Sequence, residues 1–148
     1  MKRREFFAFF GSAAAAFPFA ARAQQQPMPV IGFLRPTRAG DAGHLVAAVR
    51  QGLRESGYPP DKVTIESRWA DGRQERLPKL AAELVALQVA AIVGSVEAAL
   101  AAKAATTSIP FVFVTGADPV VAGLVSSISR PGGNITGVSF FDHRGQLF

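Results

Sequence analysis

Apolar positions along the chain fall into short dense runs separated by stretches in which they recur every three or four residues. Residues 30–34, Val-Ile-Gly-Phe-Leu, are short enough and apolar enough for a buried strand, as are 89–93 and the β-branched and aromatic run Phe111-Val112-Phe113-Val114. Residues 63–69 alternate apolar and polar, predicting a strand with one polar face, and 135–140 predict a further strand. Between these runs the spacing is helical. Residues 44–56 present Leu45, Val46, Val49 and Leu53 inward and stop at Gly57; residues 77–87 form a helix beginning near Pro78. Residues 96–106 are Ala-rich, which suits close packing on a sheet. A last helix is expected to start at Asp118-Pro119, a favoured cap followed by a favoured first residue, with Val120, Val121, Leu124, Val125 and Ile128 recurring at helical spacing. Pro131-Gly132-Gly133-Asn134 would halt it.

Strands and helices thus alternate through the chain, with crossovers long enough for a helix. That order predicts an α/β fold, a three-layer Rossmann-like lobe with a parallel sheet covered on both faces. Right-handed crossovers then bring every strand-to-helix loop to one sheet edge: 35–41, 70–73, 94–95 and 115–118. The corner at Thr115-Gly116-Ala117-Asp118-Pro119 is the pivotal one, a strand, a small polar loop and a helix start in succession.

The first residues follow another logic. A charged head with Arg3-Arg4-Glu5-Phe6-Phe7 precedes an apolar, small-residue run, and Ala21-Arg22-Ala23 supplies a cleavage pattern before Gln24. Residues 1–23 are expected to be a twin-arginine-type signal peptide cleaved after Ala23, leaving a periplasmic protein with no stable membrane insertion. The run is shorter than the roughly 20 residues of a spanning helix and contains Pro18. Residues 24–29 are a Gln-Pro linker, and 24–148 suffice for one domain with a true core. The export segment also changes the charge argument. The chain has 16 Lys and Arg against 11 Asp and Glu. Setting aside Lys2, Arg3, Arg4, Arg22 and Glu5 leaves 12 against 10, so the pI near 10.4 is no nucleic-acid footprint. Zero cysteines removes disulfides, Cys-zinc sites and thiol catalysis.

Enzyme signatures are missing from the loop edge. Gly32 lies inside the first strand and Pro36-Thr37-Arg38 follows it, so no phosphate-binding Gly-rich loop is present. Ser95 lies in Val93-Gly94-Ser95-Val96-Glu97 and misses the hydrolase elbow. His44 and His143 have no metal-ligand spacing. Neither catalysis, metal nor cofactor is expected. Small polar loops at helix starts suit capture of an anionic group, with Ser95 and Thr115 adding hydroxyls and Gly94, Gly116 and Ala117 admitting a ligand to the backbone. The same Ser and Thr positions are also plain helix caps, and Asp118 as a cap would consume the N–H donors an anion needs. Trp69 reads first as core packing and second as a stacking surface.

The combination resembles the N-terminal half of an ABC-transporter substrate-binding protein of the periplasmic-binding-protein-like type I fold, in the group with tryptophan- and tyrosine-binding members. It is carried by Pro29-Val30-Ile31-Gly32-Phe33-Leu34, residues 49–58 and 77–84, Ile109-Pro110-Phe111-Val112-Phe113, Gly116-Ala117-Asp118-Pro119-Val120 with Gly123-Leu124-Val125, and residues 130–139. The resemblance implies a two-lobed receptor that closes on a small molecule, possibly an amino acid, and delivers it to an inner-membrane ABC permease. It implies ligand contacts at Pro36, Thr37, Gly94, Ser95, Thr115, Gly116 and Ala117. Residues 30–140 would be the first lobe. Residues 141–148 depart from the helix expected next, which reads as a truncated copy lacking the second lobe. The alternative class, a small α/β nucleotide-binding domain or enzyme, needs a phosphate loop or catalytic pair, and a DNA-binding regulator of this fold needs a helix-turn-helix where the export segment stands.

Overall fold

The computed structural model describes residues 27–127 and 132–139. The export segment, most of the linker, Ile128 and the tail 141–148 therefore lie outside the described residues. The elements are β1 (Val30–Arg35), α1 (Ala39–Glu55), β2 (Thr64–Trp69), a 3-10 turn (Gln74–Arg76), α2 (Leu77–Ala86), β3 (Ala91–Gly94), α3 (Val96–Ala105), β4 (Phe111–Thr115) and β5 (Ile135–Ser139). All five strands pair in parallel in the order β2-β1-β3-β4-β5. This is the expected α/β sheet.

Register fixes what each face carries. Gly32, Leu34, Ile92, Gly94, Phe111, Phe113 and Ile135 share one face, and all but Gly32 and Gly94 contribute side chains to the core there. Helices α2 and α3 cover it. Leu77, Leu80, Ala81 and Leu84 of α2 and Ala98, Ala99 and Ala102 of α3 are buried, the alanines allowing close helix approach. Phe111, Leu34, Leu84 and Ile92 are the largest fully buried side chains. The opposite face carries Ile31, Phe33, Ile65, Val93, Val112, Val114 and Val138. The turn from β1 to β2 runs opposite to the later crossovers, so right-handed connection puts α1 on this side. Its Leu45, Val46, Val49 and Leu53 are only half-buried, and Val114 and Val138 stay exposed.

Two helix expectations change. Helix α1 starts at Ala39, five residues early, because a first turn joins the helix across a kink at Ala42 (φ −134°, ψ 18°). Its end matches the expectation: Tyr58 N–H donates to Leu53 C=O (2.8 Å) and Gly57 N–H to Arg54 C=O (3.1 Å), with Gly57 at φ +90°. The helix expected after Asp118 is not formed over the described residues. Asp118 does cap, its Oδ1 accepting from Val120 N–H (2.8 Å) and Val121 N–H (3.4 Å). The chain then makes one turn and leaves it at Gly123, φ +74°, with Leu124 N–H donating back to Pro119 C=O (3.0 Å). Leu124 and Val125 are buried from a turn and not from a helix. β5 is tied to the strand before it by Asn134, whose Nδ2 donates to Ile109 C=O at 2.7 Å.

Candidate functional site

The sheet order contains a reversal. The chain leaves β1 toward β2 and leaves β3 toward β4, in opposite directions, so the exit loops of the adjacent strands β1 and β3 part. A crevice at the carboxyl ends of such strands is where open α/β sheets take ligands. Arg35, Pro36 and Thr37 form one wall. Their backbone is laced to the loop after β2: Ala70 N–H donates to Arg35 C=O (3.0 Å), Gly72 N–H to Pro36 C=O (2.7 Å) and Asp71 N–H to Thr37 C=O (3.3 Å). Three bonds over three residues hold this wall in place.

Gly94 and Ser95 form the facing wall. Gly94 is buried, and a β-carbon there would lie 2.2 Å from Leu34 C=O, so the glycine serves strand packing whatever else it does. Ser95 is 7% exposed and caps α3, its Oγ accepting from Ala98 N–H at 3.4 Å. In that role the hydroxyl proton remains available to donate. By helix geometry the Val96 and Glu97 N–H groups have no acceptor within α3. Next along the edge, Thr115 is 6% exposed, and its Oγ1 accepts from Ala117 N–H at 2.9 Å. Gly116 and Ala117 are exposed, and Ala117 C=O accepts from Ser139 Oγ (3.4 Å). Of the seven residues named from the sequence, Gly94 and Thr115 close β3 and β4, and Pro36, Thr37, Ser95, Gly116 and Ala117 follow β1, β3 and β4 directly.

Two polar atoms of this edge stand apart. Arg35 Nε and Thr37 Oγ1 are shielded from solvent and make no hydrogen bond. Trp69 is the register partner of Arg35 on β2, half-buried, with its ring 5.3 Å from that of Phe33 and tilted by 54°. Arg35 is not among the candidates read from the sequence, which places it first in a loop; it closes the strand instead. At the other end of the sheet, a cavity of about 180 Å³ lies between α1 and β2, lined by Arg50, Leu53, Tyr58 and Ile65 among others. It is remote from the candidate loops.

The sequence profile of ABC transporter substrate binding proteins matches residues 40–145. A tyrosine-binding protein of Clostridioides difficile (strain R20291) is 35% identical over 89 residues, covering 59% of this chain and 26% of that protein. An ABC domain from Streptococcus pneumonia, solved in complex with L-Trp, superposes with a TM-score of 0.69 at 32% identity, covering 76% of this chain and 39% of that one. The ligand-free, open structure of a Clostridium difficile substrate binding protein with adhesive properties gives 0.70 at 25% identity over 77% and 39%. The chain thus spans about a quarter of the curated relative and about two-fifths of the solved ones. With the profile covering residues 40–145, well over half of the chain, the protein belongs to the ABC transporter substrate binding protein family.

Proposed function

We propose that this lobe forms one side of the solute site of a periplasmic receptor feeding an ABC importer, with a small amino acid-like molecule held by the loops after β1, β3 and β4. The observation that carries the reading is the meeting of Thr37, Ser95 and Thr115 at one sheet edge, where the strand order reverses. Kinship with a tyrosine-binding protein and with a domain solved with L-Trp supports an amino acid as the solute. A second lobe would supply the other side and exclude water from the ligand, so the lobe alone binds weakly. The charged head, apolar run and cleavage pattern of residues 1–23 support export, and a secreted product beginning at Gln24 by intact mass checks that part.

The test is a titration of the isotope-labelled chain with L-tryptophan and with L-tyrosine, followed through backbone amide resonances. Saturable shifts concentrated at Thr37, Ser95, Gly116 and Ala117 are expected. Shifts centred instead on the cavity beside Arg50 and Tyr58, or no shifts with either amino acid, would reject this reading.

A further inference from the structure

The sheet ends on two unlike edges. On β2, Arg68 pairs with Glu66 of the same strand and with Glu83 of α2, each at 3.1 Å. Charges on an outer strand oppose the addition of another strand, because pairing would strip them of water. The opposite edge is β5, Ile135-Thr136-Gly137-Val138-Ser139, which has no charge, no proline and no break in its register with β4. Among the described residues no strand lies beyond it. Phe111 N–H donates to Asn134 C=O at 2.8 Å, and this sets the alternation along β5. Thr136 and Val138 turn their backbone groups toward β4, and Ile135 and Gly137 turn theirs outward. Gly137 is exposed, and a β-carbon there would lie 2.2 Å from Phe113 C=O, so packing against β4 requires the glycine. The middle of the edge is therefore bare backbone. Beside it Thr136 and Val138 are exposed on the sheet face away from α2 and α3, and Val114, also exposed, adjoins Val138 in register.

We propose that β5 is a docking edge for a second copy of this chain, the two β5 strands pairing antiparallel about Gly137 and joining two five-stranded sheets into one. The strand complements itself under a two-fold rotation. Gly137 then stands opposite Gly137, and its outward N–H and C=O exchange two hydrogen bonds with those of its counterpart. Thr136 stands opposite Val138 and Val138 opposite Thr136, pairs of β-branched residues that favour cross-strand contact, and no like charges meet. The exposed Val114 and Val138 of the two copies come together on one side of the joined sheet. The charged β2 edge explains why assembly stops there: a symmetric contact uses the same patch on both copies, so two copies consume the open edges and leave only guarded ones. With five residues on each side, the contact is a weak one. It does not depend on the solute reading.

The test follows the full chain from about 10 µM to about 1 mM, the range in which weak contacts form. Sedimentation velocity reads the mass, and amide hydrogen exchange reads Gly137. The mass is expected to rise from one chain to two and no further, with Gly137 exchange slowing at least about fivefold as the dimer forms. Val138→Lys places a charge within the pairing and should weaken the dimer at least about tenfold, while Thr64→Lys, the same charge on the β2 edge, leaves it unchanged. The wild-type measurements need no variant to fold. A single-chain mass at every concentration overturns the proposal, as does association that leaves Gly137 exchange unchanged or that survives Val138→Lys. A Gly137 amide as slow at the lowest concentration as at the highest also overturns it, because the chain would then close this edge with its own residues. Growth beyond two copies, or loss of the dimer in Thr64→Lys, overturns the two-fold arrangement on β5.

Discussion

A β-carbon on Gly94 would sit 2.2 Å from the Leu34 carbonyl oxygen and 3.1 Å from both the Phe111 ring and the Ala98 side chain. The first contact is with backbone of the neighbouring strand, which cannot rotate away. Gly94→Ala should therefore lower stability by about 1–3 kcal/mol or more, through overpacking between β1, β3 and α3; urea denaturation reads it, and a neutral result would mean slack between those strands. The sequence gives a glycine here two meanings, ligand access and packing, and only the second has a contact to its name. The places of Ser95 and Thr115 were legible because each stands at the end of a buried apolar run. Both accept from a backbone N–H, as the capping alternative required. Arg35 was not legible. Whether a side-chain atom such as Arg35 Nε is left shielded and unpartnered depends on packing between strand ends and loops that no local pattern announces.

At the level of elements, the strands were readable because a buried parallel strand must be a continuous apolar run, and each such run is bounded by a turn residue. The segment after Asp118 shows where periodicity misleads. The residues at helical spacing have unlike fates: Leu124 and Val125 are buried, while Val121 is 85% exposed. One capped turn satisfies the same pattern as a helix until Gly123 turns left-handed. The two readings give opposite signs for Gly123→Ala. In the observed turn an alanine at φ +74° loses about 1 kcal/mol or more, whereas in a continuing helix it would gain about 1 kcal/mol over glycine. Thermal or urea unfolding of the variant decides, and the expected outcome is a loss. The early start of α1 escaped notice for a related reason: Gly40 and Gly43 flank the kinked Ala42, and glycines that weaken helix propensity hid the first turn.

Across the whole molecule the topology was legible and the ligand was not, because the alternation of elements specifies a sheet, while the chain spans only about two-fifths of the solved relatives it resembles. What the molecule does display is a difference between its faces. One side of the sheet is sealed by α2, α3 and the Phe111 cluster, and the other is held by the half-buried residues of α1. In native-state hydrogen exchange that difference becomes a hierarchy of openings. Amides of residues 46–53 should exchange through a partial opening, well before those of Leu80–Leu84 and Phe111–Phe113, which should wait for global unfolding; equal protection throughout would make the lobe one cooperative unit. Since α1 begins directly after the Arg35–Thr37 wall, that partial opening would loosen one side of the crevice while Ser95 and Thr115 stay anchored to the slow-exchanging core. A solute that bridges the two walls would then report its own arrival as slowed exchange at residues 46–53 of α1, nine or more residues along the chain from Thr37.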